Sequence, residues 1–265
     1  MPTLPLFQVD AFTDRPFAGN PAAVCPLAAP IPEALMQDIA AENNLSETAF
    51  FHPQGDVFSL RWFTPTTEVE LCGHATLASA FVLMTELEPG RSEVTFRTRS
   101  GLMPVFRRGD ELVLDFPAYP AVPADAGTAA RVAEALRARP TEVVSARSLF
   151  AVFDDAAVVR ALAPDMRALA TLHTGVGVTA PGAGEARPVD FVSRYFAPGF
   201  GIDEDPVTGS AHCTLAPYWA ARLGKQALRA RQVSRRGGEL SCALAGDRVH
   251  IGGKARLVIT GTLAY

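Results

Sequence analysis

The feature that most constrains the fold of this chain is an internal repeat. The segment "IPEALMQDIAAENNLSETAFF", which begins at Ile31, has the pattern of a helix, a turn and a strand, and so does "APDMRALATLHTGVGVTA", which begins at Ala163. Further along, Phe63 opens a Phe-x-Pro element that leads to Gly73, and Phe196 opens another that leads to Gly209. These landmarks recur in one order at nearly one offset, and they predict two copies of one α/β unit.

Local patterns place strands and helices within each copy. Short runs rich in β-branched and aromatic residues, such as "DVFSLRWF" and "DELVLDF", predict strands bounded by Gly, Pro and Asp. The segments "HATLASAFVLM" and "SAHCTLAPYWAARL" predict one largely apolar helix in each copy. The stretch "PAYPAVPADAG", which starts at Pro117, predicts a linker. We therefore predict domains at 1–116 and 117–265, with the alternative that the last strand returns to the first domain.

Composition and charge exclude several classes of protein. Hydrophobic residues make up 48% of the chain and charged residues 20%, which is typical of a globular protein with a sizeable core. The formal net charge is −4, and no dense Lys/Arg stripe occurs, so we expect no nucleic-acid partner and favour a small molecule. No apolar run approaches the roughly 20 residues that cross a bilayer, and the N-terminus does not resemble a secretory signal. We expect a cytoplasmic protein without a membrane partner.

A glycine at the start of an apolar helix is common to both copies. Gly73 in "CGHA" and Gly209 in "TGSAH" would leave backbone N–H groups of the first helical turn open to a ligand. Helix N-termini favour anions, so a shared cleft would suit a substrate that carries a carboxylate. The alternative is that both are ordinary helix starts.

Each copy also has one carboxylate that the other lacks. Glu47 aligns with Val178 in the repeat, and Asp205 aligns with Val69. Because the repeated scaffold does not require these acids, they are candidates for chemistry, although solvated surface positions would drift in the same way. The aligned position of Cys72 is Thr208, not Cys213, so a symmetric racemase with two thiols is disfavoured, while a one-sided role for Cys72 stays open.

Four segments together resemble the PhzF-like family, the phenazine-biosynthesis isomerases, which share the diaminopimelate epimerase fold. They are "VDAFTDRPFAGNPAAV", "ENNLSETAFF", "FTPTTEVELCGHATLA" and "DPVTGSAH", in family order and spread over most of the chain. The resemblance implies an α/β (α+β) fold with two pseudo-symmetric domains, each a curved, mostly antiparallel sheet around a central helix. It also implies a homodimer and an active site that uses no cofactor.

The resemblance also implies roles for individual residues. The catalytic glutamate of the family falls on Glu47, with Ser46 before it, and the family histidine falls on His74. The aspartate and serine of the later segment fall on Asp205 and Ser210. The backbone N–H groups at Gly73 and Gly209 would hold a substrate carboxylate. Asn20 of "GNPAAV" is a further candidate, because this segment lies near the active site in the family. The alternative is that Asn20 only forms a tight turn.

The chemistry implied by the resemblance is a proton shift within a conjugated substrate. It requires a carboxylate base near a carbon and donors aimed at the charge that develops. Two further hypotheses stay open: racemisation or epimerisation of an amino-acid-like compound on the same fold, and a binding protein without turnover. A zinc site from Cys72, His74, His212 and Cys213 is disfavoured because the last two are adjacent, so we expect no metal. Arg235 and Arg236 form either an anion clamp or, as we prefer, an exposed turn.

Overall fold

The computed structural model describes residues 1–184 and 187–265 and divides the chain into two compact units. Unit 1 comprises Met1–Asp115 together with Gly252–Tyr265, and unit 2 comprises Phe116–Ile251. The C-terminal segment is thus part of the first unit, where it pairs with the N-terminal strand. Among the described residues, no helix combines the length and apolar character needed to cross a membrane.

Unit 1 is built from antiparallel and parallel strands with one buried helix. Its helices are α1 (Glu33–Asn43) and α2 (Gly73–Phe81), and α2 continues as a π-helical turn, Val82–Leu87. Its strands are β1 (Thr3–Ala11), β2 (Asn20–Pro26), β3 (Glu47–Gln54), β4 (Val57–Phe63), β5 (Glu68–Val69), β6 (Glu93–Thr98), β7 (Gly101–Arg108), β8 (Glu111–Pro117, which crosses the division) and, at the C-terminus, β18 (Ala255–Ala264).

Unit 2 has the same kinds of elements. Its helices are α3 (Ala126–Leu136), α4 (Ala156–Ala161), α5 (Met166–Ala170) and α6 (Gly209–Leu223), with a short 3-10 turn at Pro198–Phe200. Its strands are β9 (Val122–Pro123), β10 (Glu142–Ser145), β11 (Leu149–Val152), β12 (Val176–Pro181), β13 (Phe191–Ala197), β14 (Ile202–Glu204), β15 (Ala227–Gln232), β16 (Gly238–Ala245) and β17 (Arg248–Gly253, which crosses the division).

The two units repeat the same strand pairing. In unit 1, β2 pairs parallel with β3, β3 pairs antiparallel with β4, and β4 pairs antiparallel with β5 and parallel with β6. In unit 2, β11, β12, β13, β14 and β15 pair in the same order and with the same directions. The prediction of two copies of one α/β unit, with mostly antiparallel sheets, is therefore confirmed.

A duplicated ion pair shows how closely the copies correspond. Arg61 on β4 donates from Nε and a terminal nitrogen to the two carboxylate oxygens of Glu68, at 2.7 and 2.6 Å. Arg194 on β13 binds Glu204 in the same way, at 2.7 and 2.9 Å. Side-on pairing of this kind fixes both side chains, because two parallel hydrogen bonds leave no freedom of rotation. Position 69 follows Glu68 as Asp205 follows Glu204, which supports the alignment of Val69 with Asp205.

The apolar helix of each unit is buried, as its composition predicts. Every residue of α2 from Gly73 to Ala80 is buried, and in α6 most residues up to Ala220 are buried. Strand β4 supplies part of the surrounding core through alternate residues, with Phe58, Leu60 and Trp62 buried. Alternation with period two places these side chains on one face of the strand. The helix–sheet arrangement puts the N-terminus of each buried helix at the end of a loop that follows a short strand.

The proline-rich stretch at 117–127, which was predicted to be a linker, follows the division between the units and is hydrogen-bonded within unit 2. The amide of Ala118 donates to the carbonyl of Asp247 at 2.8 Å, and the amide of Tyr119 donates to the carbonyl of Cys213 at 2.9 Å. The stretch also contains β9 and the start of α3, where the Asp125 side chain caps the helix by accepting from the Thr128 amide. Proline-rich composition signals irregular backbone, but it does not reveal the hydrogen bonds that this backbone makes within unit 2.

Candidate active site

Glu47 is the first residue of β3, yet its side chain is not solvated. Only 13% of the side chain is exposed, and Oε2 lies 3.1 Å from Nε2 of His74. Glu47 is held at this place because β3 pairs in parallel with β2, with Glu47 opposite Ala22. The position therefore does not fit a carboxylate that merely faces bulk water at a strand start.

His74 lies in the first turn of α2 and connects three side chains. The residue is 5% exposed. While Nε2 faces Glu47, the other ring nitrogen, Nδ1, lies 3.1 Å from Nδ2 of Asn20 and 3.5 Å from Sγ of Cys72. We refer to Asn20, Glu47, Cys72 and His74 as the His74 group. Residues that are far apart in sequence thus form one buried polar cluster within unit 1.

The backbone before Asn20 needs a glycine. Gly19 has a φ of +66°, and a Cβ at this position would lie 2.1 Å from the carbonyl oxygen of Ala11. Only glycine adopts such a conformation at so close an approach without strain. Gly19 therefore lets the chain turn tightly against β1, and Asn20, which is fully buried, enters β2 directly beside His74.

The His74 group has unused hydrogen-bonding capacity. Glu47 Oε2 and His74 Nε2 are within ion-pair distance, but neither atom makes a directed hydrogen bond to any described residue. The ring N–H direction therefore misses the carboxylate oxygen, although the charges still attract each other. Buried polar atoms in native proteins are nearly always hydrogen-bonded, so such an exception is often functional. A polar or acidic group of a ligand would satisfy both atoms.

The protonation states follow from burial and from neighbouring acids. Burial acts to lower the pKa of His74, but Cys72 and Glu47 outweigh it, and the pKa of His74 is raised well above its ordinary value. Burial, with a smaller contribution from the charge of Glu47, raises the pKa of Cys72 to about 11. Near neutral pH, Cys72 is therefore a neutral thiol, and the raised pKa of His74 favours the protonated ring.

The donor set alone would allow a metal ion, but the arrangement does not suit one. A carboxylate oxygen, a thiol sulfur and an imidazole nitrogen of the His74 group lie within 4.8 Å of one another. However, the closest contacts of Glu47 and Cys72 are with opposite ring nitrogens of His74, and an ion binds only one of these nitrogens. Asn20 also contacts Nδ1, where such an ion would bind. The cluster is better suited to holding and moving protons.

The remaining candidates of unit 1 are Ser46 and Gly73. Ser46 is half-buried in the bend that precedes β3. Gly73 is the first residue of α2, and the preceding residue, Cys72, makes no side-chain capping hydrogen bond. The first N–H groups of α2 are therefore not covered by a side-chain cap, and they contribute the positive end of the helix dipole next to His74.

In unit 2, Asp205 directly follows β14 and is hydrogen-bonded to the N-terminus of α6. Its backbone N–H donates to the carbonyl of Tyr195 at 3.0 Å. Its carboxylate oxygen Oδ2 accepts a hydrogen bond of 2.5 Å from the hydroxyl of Thr208, the N-cap residue of α6. Gly209 and Ser210 then open the helix, with Gly209 buried and Ser210 half-buried. Asp205 and Ser210 are thus brought to one loop–helix junction.

One buried residue of this junction was not predicted. Gln232, the last residue of β15, is fully buried and hydrogen-bonds to both Asp205 and Thr208. A glutamine at a strand end carries no sequence signal for this role. The neighbouring segment contacts the same loop through Ser234, whose hydroxyl donates to the carbonyl of Pro206 at 2.7 Å. Arg235 is exposed, as the preferred interpretation of an exposed turn expects, whereas Arg236 is half-buried.

The residues of the disfavoured zinc site have other partners in unit 2. His212 is fully buried, and its Nδ1 lies 2.8 Å from the carbonyl oxygen of Thr208. A carbonyl only accepts, so Nδ1 carries the proton and donates it. Burial lowers the pKa of His212 to about 4, so the ring is neutral. Burial also raises the pKa of the Cys213 thiol to about 12.

The comparisons with known proteins identify the family. The family model described as phenazine biosynthesis-like protein, PhzC-PhzF, matches residues 9–261. The chain belongs to this family. An uncharacterized isomerase of Pseudomonas aeruginosa is 51% identical over 261 residues, with 98% of each chain covered. A crystal structure of a PhzF-family phenazine biosynthesis protein from Enterococcus faecalis aligns over 100% of each chain, with 44% identity and a TM-score of 0.92.

A more distant structure shares the fold alone. A probable proline racemase from Agrobacterium radiobacter aligns with a TM-score of 0.62 and 14% identity, over 98% of this chain and 93% of that one. The PhzC-PhzF family membership predicted from the four sequence segments is confirmed, as are the assignment to a family of isomerases and the epimerase-like fold class.

Proposed function

We propose that this protein is an isomerase that uses Glu47 to move a proton between two carbons of a small substrate bearing a carboxylate, without a cofactor. The observation that carries this proposal is the Glu47–His74 pair. A buried carboxylate oxygen and a buried ring nitrogen lie 3.1 Å apart, and neither makes a hydrogen bond to the described residues. Family membership supports the reaction class, and the geometry supports the choice of Glu47.

The proposed reaction is a balanced proton shift. The Glu47 carboxylate removes a proton from a substrate C–H, and the electron pair of that bond passes into the conjugated system as an enolate-like anion. The carboxylic acid so formed exchanges its proton with solvent and then protonates another carbon of the same anion, which restores the carboxylate. The product is an isomer of the substrate, and the reaction needs no oxidant or reductant.

His74 and the helix starts would stabilise the charge that develops. The protonated ring of His74 can donate to an anionic substrate oxygen. We propose that in unit 1 the N–H groups near Gly73 bind an anionic group of the substrate and Ser46 helps to orient it. For Gly209, Asp205 and Ser210 of unit 2 we propose the binding roles that the family resemblance implies. Asn20 acts through His74, because its amide contacts Nδ1. The homodimer and the cytoplasmic location stay predictions.

Solvent-deuterium incorporation tests the proposal. A panel of unsaturated, amino and hydroxy carboxylates is incubated with the protein in D₂O, and deuterium is located by NMR. Deuterium at a new carbon supports isomerisation, whereas deuterium only at the original stereocentre indicates epimerisation. A ligand that binds in calorimetry without any exchange favours the binding-protein hypothesis and overturns the proposal.

Two matched variants test the base. Glu47→Gln should lower the exchange rate by at least about 100-fold, since acid–base catalysis contributes about 10²–10⁴-fold. Glu93 is an exposed glutamate that also begins a strand, β6, so Glu93→Gln is the matched control and should exchange at the wild-type rate. Unchanged exchange in Glu47→Gln would remove Glu47 from this role.

A further inference from the structure

The side chain of Gln232 is oriented by a backbone group whose polarity is unambiguous. Its Oε1 lies 2.9 Å from the amide nitrogen of Thr208. A backbone N–H can only donate, so the atom that faces it must be the amide oxygen. The orientation of this buried amide is therefore determined by chemistry and not only by the fit of its shape.

The direction of the next hydrogen bonds follows. Because Oε1 faces the Thr208 amide, Nε2 faces the carbonyl of Asp205 at 2.7 Å and the hydroxyl oxygen of Thr208 at 3.1 Å. Nε2 can only donate, so the Thr208 hydroxyl accepts from it. The hydroxyl proton is then left for Oδ2 of Asp205, at 2.5 Å. Gln232 thus sets the direction in which Thr208 donates.

The remaining polar group of Thr208 is held as well. Its carbonyl accepts from Nδ1 of His212, so its amide, hydroxyl and carbonyl are all bound by buried side chains or by Asp205. Between Asp205 and Thr208 along the chain, the carbonyl of Pro206 accepts a hydrogen bond from the Ser234 hydroxyl. A loop fixed at three successive points keeps the Asp205 carboxylate in one place before any ligand arrives, which is what a preorganised site requires.

We infer that Gln232 is a positioning residue for the reaction: through Thr208 it fixes the carboxylate of Asp205 in place and as a hydrogen-bond acceptor. This inference rests on the proposed function only for the part that Asp205 plays in catalysis. The hydrogen-bond relay itself is a property of unit 2 and can be measured without a substrate.

The first test follows the Asp205 carboxyl carbon by ¹³C NMR titration, with Asp205→Asn to assign its signal. Thr208→Val removes the donor to the ionised carboxylate, so the pKa of Asp205 should rise. Gln232→Met keeps the size of the side chain but removes its hydrogen bonds, and it should raise the pKa of Asp205 as well. Thr208→Ser keeps the hydroxyl and should titrate like wild type. Tyr195, whose phenol interacts electrostatically with Asp205, stays neutral in this range because burial raises its pKa.

The matched control for Gln232→Met is Gln226→Met, because Gln226 is an exposed glutamine next to the same strand, β15. If Gln232→Met titrates like Gln226→Met while Thr208→Val shifts, the inference is overturned. If a variant does not fold, a measurement on the wild type still tests the inference. The side-chain NH₂ of Gln232 should exchange slowly with D₂O. Fast exchange at neutral pH would overturn the inference.

A second test uses any substrate found by deuterium exchange. Gln232→Met should lower kcat by about 10- to 100-fold with a smaller change in KM, because small misplacements of a catalytic group cost up to about 100-fold. Thr208→Ser should retain activity. If no substrate exchanges at all, the proposed function fails while the titration still decides the inference; if exchange occurs and Gln232→Met matches wild type in kcat, the inference fails alone.

Discussion

The side-chain amide of Asn20 contacts Nδ1 of His74, with Nδ2 at 3.1 Å, while the opposite ring nitrogen faces Glu47. An amide carries both a donor and an acceptor at nearly the same positions, so half a turn about its last bond exchanges them. Asn20 can thus donate to Nδ1 of a neutral ring or accept from Nδ1–H of an imidazolium. This suits a histidine beside a carboxylate that gains and loses protons during turnover.

Two substitutions of Asn20 should shift the pKa of His74 in opposite directions. Asn20→Asp adds an anion beside Nδ1 and should raise the pKa further, whereas Asn20→Leu removes the acceptor of the imidazolium and should lower it. The pKa is read from the ¹⁵N shifts of the ring during a pH titration, with the His52 ring as the internal control. Equal His74 titrations in wild type and both variants would contradict a role of Asn20 in setting its proton state.

The repeat in the sequence allowed the fold and the two candidate acids, Glu47 and Asp205, to be predicted for a physical reason. The Phe-x-Pro elements and helix-start glycines recur because each copy must bury the same helix, so aligned positions such as Glu47 and Val178 show where chemistry departs from the scaffold. That comparison identified both Glu47 and Asp205. It could not show that the Glu47 side chain lies against His74, because orientation depends on the parallel register of β2 and β3.

Residues that act through others gave no such signal in the repeat, and Asn20 was named only through the family resemblance. Asn20 and His74 are 54 positions apart, and Gln232 follows Thr208 by 24, so their contacts arise only when separate strands meet a helix start. A buried amide at a strand end looks like any polar residue in a sequence. The hydrogen bonds of segment 117–127 to Asp247 and Cys213 could not be predicted for a related reason, since they come from tertiary packing.

Substitution of Gly19 by alanine should destabilise the protein more than the same substitution at Gly55, which has a similar backbone conformation. Gly55 has a φ of +63° with open space around it, whereas at Gly19 a Cβ would lie 2.1 Å from a carbonyl oxygen. Gly55→Ala should cost about 1 kcal/mol of unfolding free energy, from the left-handed conformation alone. Gly19→Ala should cost about 1–3 kcal/mol more, because the backbone must move. Chemical denaturation measures both, and equal costs would contradict the close approach.

Cys72 should behave as an unreactive thiol and not as the base. Burial raises its pKa to about 11, so about one molecule in 10⁴ carries the thiolate at pH 7. Iodoacetamide should therefore modify the Cys72 peptide slowly at pH 7 and about tenfold faster for each added pH unit, as followed by mass spectrometry. Cys72→Ala should keep deuterium exchange within a few-fold of wild type. A loss as large as that expected for Glu47→Gln would instead support the one-sided thiol role.

His212 should make the protein less stable in acid. Its pKa is about 4 in the folded protein, because of burial, and about 6.5 in the unfolded chain, so the unfolded state takes up a proton first as the pH falls. The stability contributed by the neutral ring is fully present above pH 6.5 and is lost as the pH falls toward 4, by about 3 kcal/mol in total. The relevant comparison is the pH dependence of unfolding in urea for wild type and His212→Asn, whose amide can still donate to the Thr208 carbonyl. Wild type should lose more stability than the variant between pH 7 and pH 4.5, and its His212 ring signals should not titrate above pH 5. Parallel stability curves, or a ring that titrates near pH 6.5, would show that His212 is not held neutral by burial.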